Sequence, residues 1–350
     1  MLREEHSITA YEQRKNRLGK LSSKELKELL GCINKDPRVS IPPMIGYDSG
    51  VHKIGEKYVV VSTDPCTGVP EEWFGYLLIN YAASDVALFG AKPEFCTINL
   101  LGPLETEPEI FQSAMQQTCA AANELGIAIV TGHTGTYSSV RKLLGVCTAY
   151  GTVDLGNLRT PGNAKAGDLI VCTKPLGLET VVNFSLTHKS QAQNLFGAQR
   201  AEQLTKQVHM QSCVNEALQL AKLSGVHAMH DATEGGLGTA LNEMAEASKR
   251  GFKVDYKKIQ FTPEVRALSD VFGISDEQLL AISSTGTIIA AVSPQAKHEV
   301  TEMLRRIGFE PNFIGEFTKG RNRVLTKNSQ ELHFPEVAND PYARILSGKV

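Results

Sequence analysis

The sequence predicts an α/β protein of two lobes, each of the α+β type. The chain has 350 residues, which is enough for two hydrophobic cores of ordinary size. Both halves mix β-rich apolar runs with amphipathic helical patterns, without strict alternation of strand and helix. A polar stretch rich in Gly and Pro near residues 155–165 separates the halves. We therefore predict a helical or extended segment over residues 1–40, a first lobe over 41–157, a second lobe over 158–335 and a tail over 336–350.

The first lobe is predicted to contain a β-hairpin, three further strands and two main helices. A shorter helix is predicted before them in LSSKELKELLGCI, which has a Ser N-cap candidate. The hairpin joins VHKI to KYVVVSTD through Gly55-Glu56-Lys57. One helix covers EEWFGYLLINYAASDVAL and stops near Gly90, and the other ends at Gly126. The further strands are FCTINLLGP, IAIVTGHTG, which we expect to be buried and to run into a glycine loop, and LLGVCTAYGTVD.

The second lobe is predicted to open with the strand and loop DLIVCTKPLG. A long helical region follows, ending with SCVNEALQLAKLSG, and a polar turn, HDATEGG, precedes the helix LGTALNEMAEASKRG. GTIIAAVS, HEVTEMLRRIG and FIGEFTKG then predict a strand, a helix and a strand. Residues 185–210 match no pattern that predicts a role.

Composition excludes several classes of function. The net charge of −2 and the pI of about 6.5 give no broad basic surface for a nucleic acid. No apolar run approaches the roughly 20 residues that cross a bilayer, and the N-terminus lacks the apolar region of a signal peptide. We expect a cytoplasmic protein. The seven cysteines are widely spaced and form no CxxC pair, which favours reduced, buried thiols over disulfides or a zinc site.

Three aspartates interrupt apolar elements of the first lobe. Asp48 lies in IGYDSGV, which by itself fits an Asx-type turn. Asp64 follows Ser62 and Thr63 at the end of an apolar strand, where an acid either holds a metal or caps a loop. Asp85 lies inside an apolar helix, and burying a carboxylate costs several kcal/mol unless a cation compensates it. Asp85 is therefore the acid that most needs a bound cation, unless it lies on an exposed face of the helix.

The turn MHDATEGG supplies a fourth acid and a helix N-terminus. Asp231 or Thr233 is placed to N-cap the following helix, and Gly235 and Gly236 expose backbone N–H groups at its start. Such a helix start favours an anion such as phosphate. A capped helix without any ligand fits the pattern equally well.

The segment VTGHTGTY is the fifth polar element. Gly132 and Gly135, with Thr131, Thr134 and Thr136, are placed to wrap a phosphate or a base. His133 is a catalytic candidate, although a single His in a loop is more often structural. The segment is not a Walker A loop, and the chain has no GxGxxG pattern. Separated carboxylates together with a glycine-bearing helix start point to Mg²⁺ and a polyphosphate.

The order of these clusters resembles the superfamily of aminoimidazole ribonucleotide (AIR) synthase. This superfamily includes the hydrogenase-maturation protein HypE, thiamine-monophosphate kinase and selenophosphate synthetase. The resemblance spans roughly residues 16–330. It is greatest to HypE and its relatives, through SDVALFGAKP, TKPLGLE and HDATEGGL.

The resemblance implies a homodimer in which the N-terminal strands of two subunits form a shared barrel. ATP would lie in a cleft near that interface, with its phosphates held through Mg²⁺. The metal ligands that the resemblance implies are Asp48, Asp64, Asp85 and Asp231. The nucleotide contacts that it implies are Asp48, Ser62, Thr63, Asp64, Asn80, Ser84, Gly132, His133, Thr134, Thr233, Gly235 and Gly236.

The resemblance also implies an activity, which is attack on the γ-phosphate of ATP by a substrate oxygen, with release of ADP. The acceptor would be an amide, a carboxamide or a phosphate. Lys20 and His133 are the candidate catalytic side chains, although a solvated lysine beside a helix explains Lys20 as well.

Three departures from the family pattern limit this expectation. The tail ends in PYARILSGKV and has no Cys, so thiocyanate formation on the chain's own tail, the HypE reaction, is excluded. Tyr47 stands where relatives have the first acid of an Asp-Asp pair. No Cys-Lys pair of the selenophosphate synthetase type lies near the N-terminus. These departures leave open an accessory or regulatory protein that binds a nucleotide without turnover.

Overall fold

The computed structural model describes residues 21, 23–336 and 339–349 and has two mixed α/β lobes. The first lobe holds a six-stranded sheet whose strands are Val39–Ile41 (β1), Gly50–Ile54 (β2), Lys57–Thr67 (β3), Phe95–Gly102 (β4), Ala128–Thr136 (β5) and Leu144–Val153 (β6). Its strand order is β1-β2-β3-β6-β4-β5, and only the β4–β5 pair is parallel. Its helices are Ser23–Leu30 (α1), Phe74–Leu88 (α2) and Pro108–Leu125 (α3).

The second lobe holds a seven-stranded sheet and the remaining helices. Its strands are Leu169–Cys172 (β7), Val226–Asp231 (β8), Gly251–Asp255 (β9), Ile288–Val292 (β10), Asn312–Thr318 (β11), Arg323–Lys327 (β12) and Gln330–His333 (β13), in the order β13-β12-β9-β11-β7-β10-β8. Its helices are Leu178–Thr187 (α4), Lys189–Phe196 (α5), Ala198–Thr205 (α6), Val214–Ala221 (α7), Gly236–Ser248 (α8), Glu264–Phe272 (α9), Asp276–Leu280 (α10), Lys297–Arg306 (α11) and Tyr342–Leu346 (α12).

Helix α2 joins the two lobes. Every residue of the helix except Tyr81 is buried, as expected for a helix that is apolar on all sides. The helix packs against β3 and β6 of its own lobe and against α7 of the second lobe. One continuous core therefore contains Leu77 and Val86 of the first lobe together with Leu220 and Met229 of the second. A polar side chain on α2 consequently lies at the junction of the lobes.

The structure confirms most of the predicted elements. The hairpin pairs Gly50 with Val61 and Ile54 with Lys57 in antiparallel register. Helix α3 ends at Gly126, whose φ of 69° is the left-handed conformation that favours glycine at a helix end. The seven cysteines are free, and five of them are buried. The α+β class of both lobes is confirmed.

The prediction for VTGHTGTY was wrong in two respects. β5 runs through Gly132, His133 and Thr134 without a loop, and it is exposed rather than buried. It is an edge strand of its sheet, so its apolar residues Ile129 and Val130 have no second strand beside them among the residues that the structure describes. An apolar run alone does not distinguish a central strand from an edge strand.

Candidate functional site

Strand β3 carries the first part of the site. Ser62, Asp64 and Cys66 alternate along the strand and share the face that α2 covers, because successive side chains of a strand point to opposite faces. Thr63 therefore lies on the other face, where its hydroxyl is 2.9 Å from that of Thr148. The structure thus separates Thr63 from the two residues with which it was grouped.

Asp85 brings α2 into the site. Its Oδ2 lies 2.7 Å from the Ser62 hydroxyl, which is also 3.0 Å from the backbone carbonyl oxygen of Asp48. Burial raises the pKa of Asp85 well above its usual range, and the charges of Asp64, Asp48 and Asp231 raise it further. All four predicted aspartates are therefore within electrostatic reach of one another's charge at the junction of the lobes.

Asp48 and Asp231 lie beside His230, a histidine that no sequence pattern singled out. One ligand atom from each of Asp48, His230 and Asp231 lies within 4.8 Å of the other two. Nδ1 of His230 is 2.9 Å from the carbonyl oxygen of Asp231, and Nε2 is 3.0 Å from Oε2 of Glu243. Both ring nitrogens therefore have acceptors, and the ring can donate from both only as an imidazolium.

The charge of His230 follows from its neighbours. Burial lowers its pKa, but the carboxylates of Asp48, Asp231 and Glu243 outweigh burial and raise that pKa well above its ordinary value. Since both nitrogens are engaged and the ring is cationic, His230 serves as a fixed counter-charge to the aspartates. It does not offer a free lone pair to a metal ion.

The residues fit a divalent cation. Oδ1 of Asp231 is buried and has no hydrogen-bond partner among the described residues; Nδ1 of His230, 3.6 Å away, is the positive charge described beside it, and a buried carboxylate oxygen favours a cation as a closer partner. The donors around it are carboxylate oxygens, the ligand type that Mg²⁺ prefers. One imidazolium does not balance four clustered aspartates, and a bound Mg²⁺ would supply the missing positive charge.

Two of the predicted nucleotide contacts are structural. The Asn80 side chain is buried and donates to the carbonyl oxygen of Tyr76 within α2, at 2.9 Å. The Ser84 hydroxyl accepts from the backbone N–H of Cys213, at 3.2 Å, and so ties α2 to the start of α7. Neither side chain makes a described contact with the aspartates.

Gly132, His133 and Thr134 also lie away from the aspartates within one chain. They are on β5, three strands from β3, which is about 14 Å at the usual strand spacing. A Cβ at Gly132 would collide with the carbonyl oxygen of Ile98, so this glycine is needed for strand pairing. Nε2 of His133 is 2.6 Å from the Tyr137 hydroxyl. Lys20, the other candidate catalytic residue, lies outside the described residues.

The helix start at Gly235 is built differently from the prediction. Asp231 is the last residue of β8, and neither Asp231 nor Thr233 caps α8 through its side chain; Gly235 is the N-cap residue, with a φ of 77°. The backbone N–H of Gly235 donates to Oδ2 of Asp340, at 3.0 Å. A carboxylate of the chain itself thus occupies the place that we predicted for phosphate. The sequence could not show this, because Asp340 comes from the distant tail.

Tyr47 packs at the lobe junction. Its ring meets Phe89 edge to face, with ring centroids 6.1 Å apart, and its hydroxyl lies against Gly162. The chain therefore uses the place of the missing acid for aromatic packing between α2 and the second lobe. Asp48 is the only acid in the segment IGYDSGV.

Comparison with known proteins agrees with this architecture. The model of the AIR synthase related protein N-terminal domain matches residues 46–153, and that of the C-terminal domain matches residues 165–328. The two matches cover both lobes, and their boundary falls in the polar stretch between β6 and β7. None of the described helices is long and apolar enough to span a membrane.

Individual relatives include proteins of different activities. A protein of Methanocaldococcus jannaschii named for hydrogenase expression and formation is 27% identical over 286 residues, covering 79% of this chain and 81% of its own length. A selenide, water dikinase of Paraburkholderia xenovorans is 26% identical over 307 residues, covering 79% of this chain and 83% of its own length. The crystal structure of HypE in complex with ATP matches with a TM-score of 0.68 and 19% identity, over 93% of this chain and 97% of that one. This structural likeness confirms the two-lobed fold.

Proposed function

Because the chain belongs to the AIR synthase-related family, we propose that it is an enzyme that binds ATP through Mg²⁺ and transfers the γ-phosphoryl group to an oxygen atom of a substrate. The convergence of Asp48, Asp64, Asp85 and Asp231 at the lobe junction carries this proposal. One relative is named selenide, water dikinase, and the HypE structure that shares this fold was solved in complex with ATP.

The four aspartates would hold Mg²⁺, which when bound neutralises the phosphate oxygens during transfer. The His230 ring lies 3.5 Å from Oδ2 of Asp48 and 3.6 Å from Oδ1 of Asp231, and its contact with Glu243 holds it in that position. Ser62 orients Asp85 and links it to the backbone of the Asp48 loop. Positioning and electrostatic stabilisation by these residues supply the catalysis, as is general for phosphoryl transfer.

A substitution of Asp85 tests the proposal. Asp85→Asn keeps the shape of the side chain but removes a negative charge from the cation site. We expect Mg²⁺-dependent ATP binding to weaken 10- to 100-fold, roughly the loss seen when a metal site loses a supporting group. Isothermal titration with ATP, with Mg²⁺ and with EDTA, measures the effect. The matched control is Asp270→Asn, at an exposed position of α9, which should bind as the wild type does.

The same titration separates the alternatives. ATP binding that is equal with Mg²⁺ and EDTA, or that survives Asp85→Asn unchanged, contradicts the proposed site. The second candidate is a nucleotide-binding accessory protein without turnover, which the packing of Tyr47 in place of an acid favours. Tight Mg²⁺-dependent binding without ADP release in the presence of any acceptor would support that candidate.

We further propose that the protein is a homodimer formed through the first sheet. The edge strand β5 exposes Ile129 and Val130, with 56% of Val130 accessible. An exposed apolar edge strand usually pairs with another chain. In such a dimer Gly132, His133 and Thr134 lie at the interface, where they contribute to a nucleotide site only with the partner subunit.

A further inference from the structure

Glu179 is a buried acid at the junction that the proposed metal site does not use. It lies in the first turn of α4, directly after the TKPLG turn, and only 6% of it is accessible. Its Oε2 accepts from the backbone N–H of Thr285, at 3.0 Å. Among the residues that the structure describes, no Lys, Arg or His forms an ion pair with it.

A rigid frame holds Glu179 in place. The backbone N–H of Gly177 donates to the hydroxyl of Ser284, at 2.7 Å, and the hydroxyl of Thr180 donates to the carbonyl oxygen of Ser283, at 2.9 Å. Together with the bond from Thr285, these contacts fasten the start of α4 to the loop over residues 283–285. The backbone that carries Glu179 is therefore fixed, and the bond from Thr285 orients its carboxylate.

The same frame connects Glu179 to the aspartates. The N–H of Ser284 donates to the carbonyl oxygen of Ala232, at 2.8 Å, and Ala232 directly follows Asp231. On the opposite side, Tyr81 lies one helical turn before Asp85; burial raises the pKa of Tyr81, and the charges of Glu179 and Asp64 contribute to the shift. Glu179 is thus on the second-lobe wall of the junction that contains the metal aspartates.

The surroundings of Glu179 are acidic. Burial raises its pKa to about 7 despite the bonds from Thr285, and the charges of Asp340 and Glu234 add to the rise. Asp340 is held by Gly235 and by the Ser283 hydroxyl, the latter at 2.6 Å. The helix start that would attract a phosphorylated substrate is therefore filled by the tail, and its charge repels a second anion.

We propose that Glu179 is the proton acceptor for the attacking group of the substrate, and that this group is an uncharged or cationic hydrogen-bond donor, a hydroxyl or a carboxamide. The inference rests on the proposed function and excludes a phosphate as the acceptor. The substrate oxygen forms a bond to the γ-phosphorus while the bond from that phosphorus to the β–γ bridging oxygen breaks, and its electron pair leaves with ADP. The O–H or N–H proton of the substrate passes to Glu179 and then to water.

The variant Glu179→Gln tests this role. Glutamine keeps an oxygen for the N–H of Thr285 but is not a base. We expect Mg²⁺·ATP affinity to stay within about twofold, while ADP release with water as acceptor falls by roughly 10²- to 10⁴-fold, the usual contribution of a general base. The wild-type rate should rise with pH through an inflection near about 7, and the variant should lack that inflection. The matched control is Glu299→Gln, at an exposed position of α11, which should keep both the rate and the inflection.

Two further measurements complete the test. In the protein without nucleotide, the ¹³C carboxyl signal that disappears in Glu179→Gln should titrate near about 7. With Mg²⁺·ATP, glycerol and acetamide should stimulate ADP release by the wild type, and glycerol 3-phosphate should not.

The outcomes are distinct. A Glu179→Gln variant with the wild-type rate and pH profile overturns the inference, as does stimulation by glycerol 3-phosphate alone. Wild-type protein that binds Mg²⁺·ATP but releases no ADP with water or either acceptor is instead a failure of the proposed function, because it supports the accessory protein without turnover. Failure to bind Mg²⁺·ATP at all is likewise a failure of the proposed function.

Discussion

At the residue scale, Glu179 has a cost for folding that its proposed role explains. A carboxyl whose pKa is raised in the folded state holds a proton that the unfolded chain releases. For Glu179 the ordinary pKa is 4.5 and the folded one about 7. Stability therefore falls as pH rises through that window, by up to roughly 3 kcal/mol once the group is fully ionised. Groups retained at such a cost are typical of functional sites.

We therefore expect Glu179→Gln to be more stable relative to the wild type at pH about 8 than at pH about 5. The expected gain in the free energy of unfolding approaches roughly 3 kcal/mol, because glutamine has no proton to lose. Urea unfolding of both proteins at the two pH values measures it. Glu299→Gln, at an exposed position of α11, serves as the control and should show no such pH-dependent gain. Parallel pH curves for Glu179→Gln and the wild type would contradict the raised pKa.

Single residues also set the limit of what the sequence could predict about the site. Asp85 could be selected from its own helix, because an acid inside an apolar helix needs a partner. Asp48, Asp64 and Asp231 were selected only through the order of motifs that resembles the family. Sequence patterns could not single out His230, Glu179 or Asp340, because the partners of these side chains come from segments far apart in the chain. Asp340 binds Gly235 across more than a hundred residues, and no local pattern encodes that contact.

At the scale of the element, the position of a strand along the chain was easier to predict than its place in the sheet. The alternation of side chains along β3 was readable in the sequence and already separates Thr63 from Ser62 and Asp64. The edge position of β5 was not readable, since it depends on the order of strands in the sheet. The short apolar run therefore predicted the strand correctly, but the predicted burial of that strand was wrong.

The exposed edge of β5 leads to a prediction about assembly. Val130→Lys places a charge in the middle of the apolar edge, which disfavours pairing with another strand. We expect the homodimer of the wild type to become a monomer at the same protein concentration. Size-exclusion chromatography with light scattering measures the mass. Leu332→Lys changes an exposed residue of the β13 edge in the other sheet and should leave the dimer intact. A monomeric wild type, or a dimeric Val130→Lys, would contradict the proposed interface.

At the scale of the whole molecule, the lobes are joined by a core rather than by a linker. Helix α2 contributes buried side chains to the first sheet and to α7 at once. The grouping of the four aspartates depends on this arrangement, because Asp48, Asp64 and Asp85 belong to the first lobe and Asp231 to the second. A hinge between the lobes would separate them, whereas a shared core fixes their mutual distances.

A shared core predicts that the two lobes unfold together. The chain has one tryptophan, Trp73, whose ring meets that of His209 of the second lobe with centroids 5.1 Å apart. Its fluorescence therefore reports on the junction, while far-ultraviolet circular dichroism reports on the helices and strands of both lobes. We expect the two urea transitions to coincide, and a fragment of residues 41–157 to show no cooperative transition, since its α2 lacks α7. Two separate transitions in the full chain, or a cooperatively folded fragment, would mean that each lobe is stable alone and that packing across the junction does not hold the aspartates together.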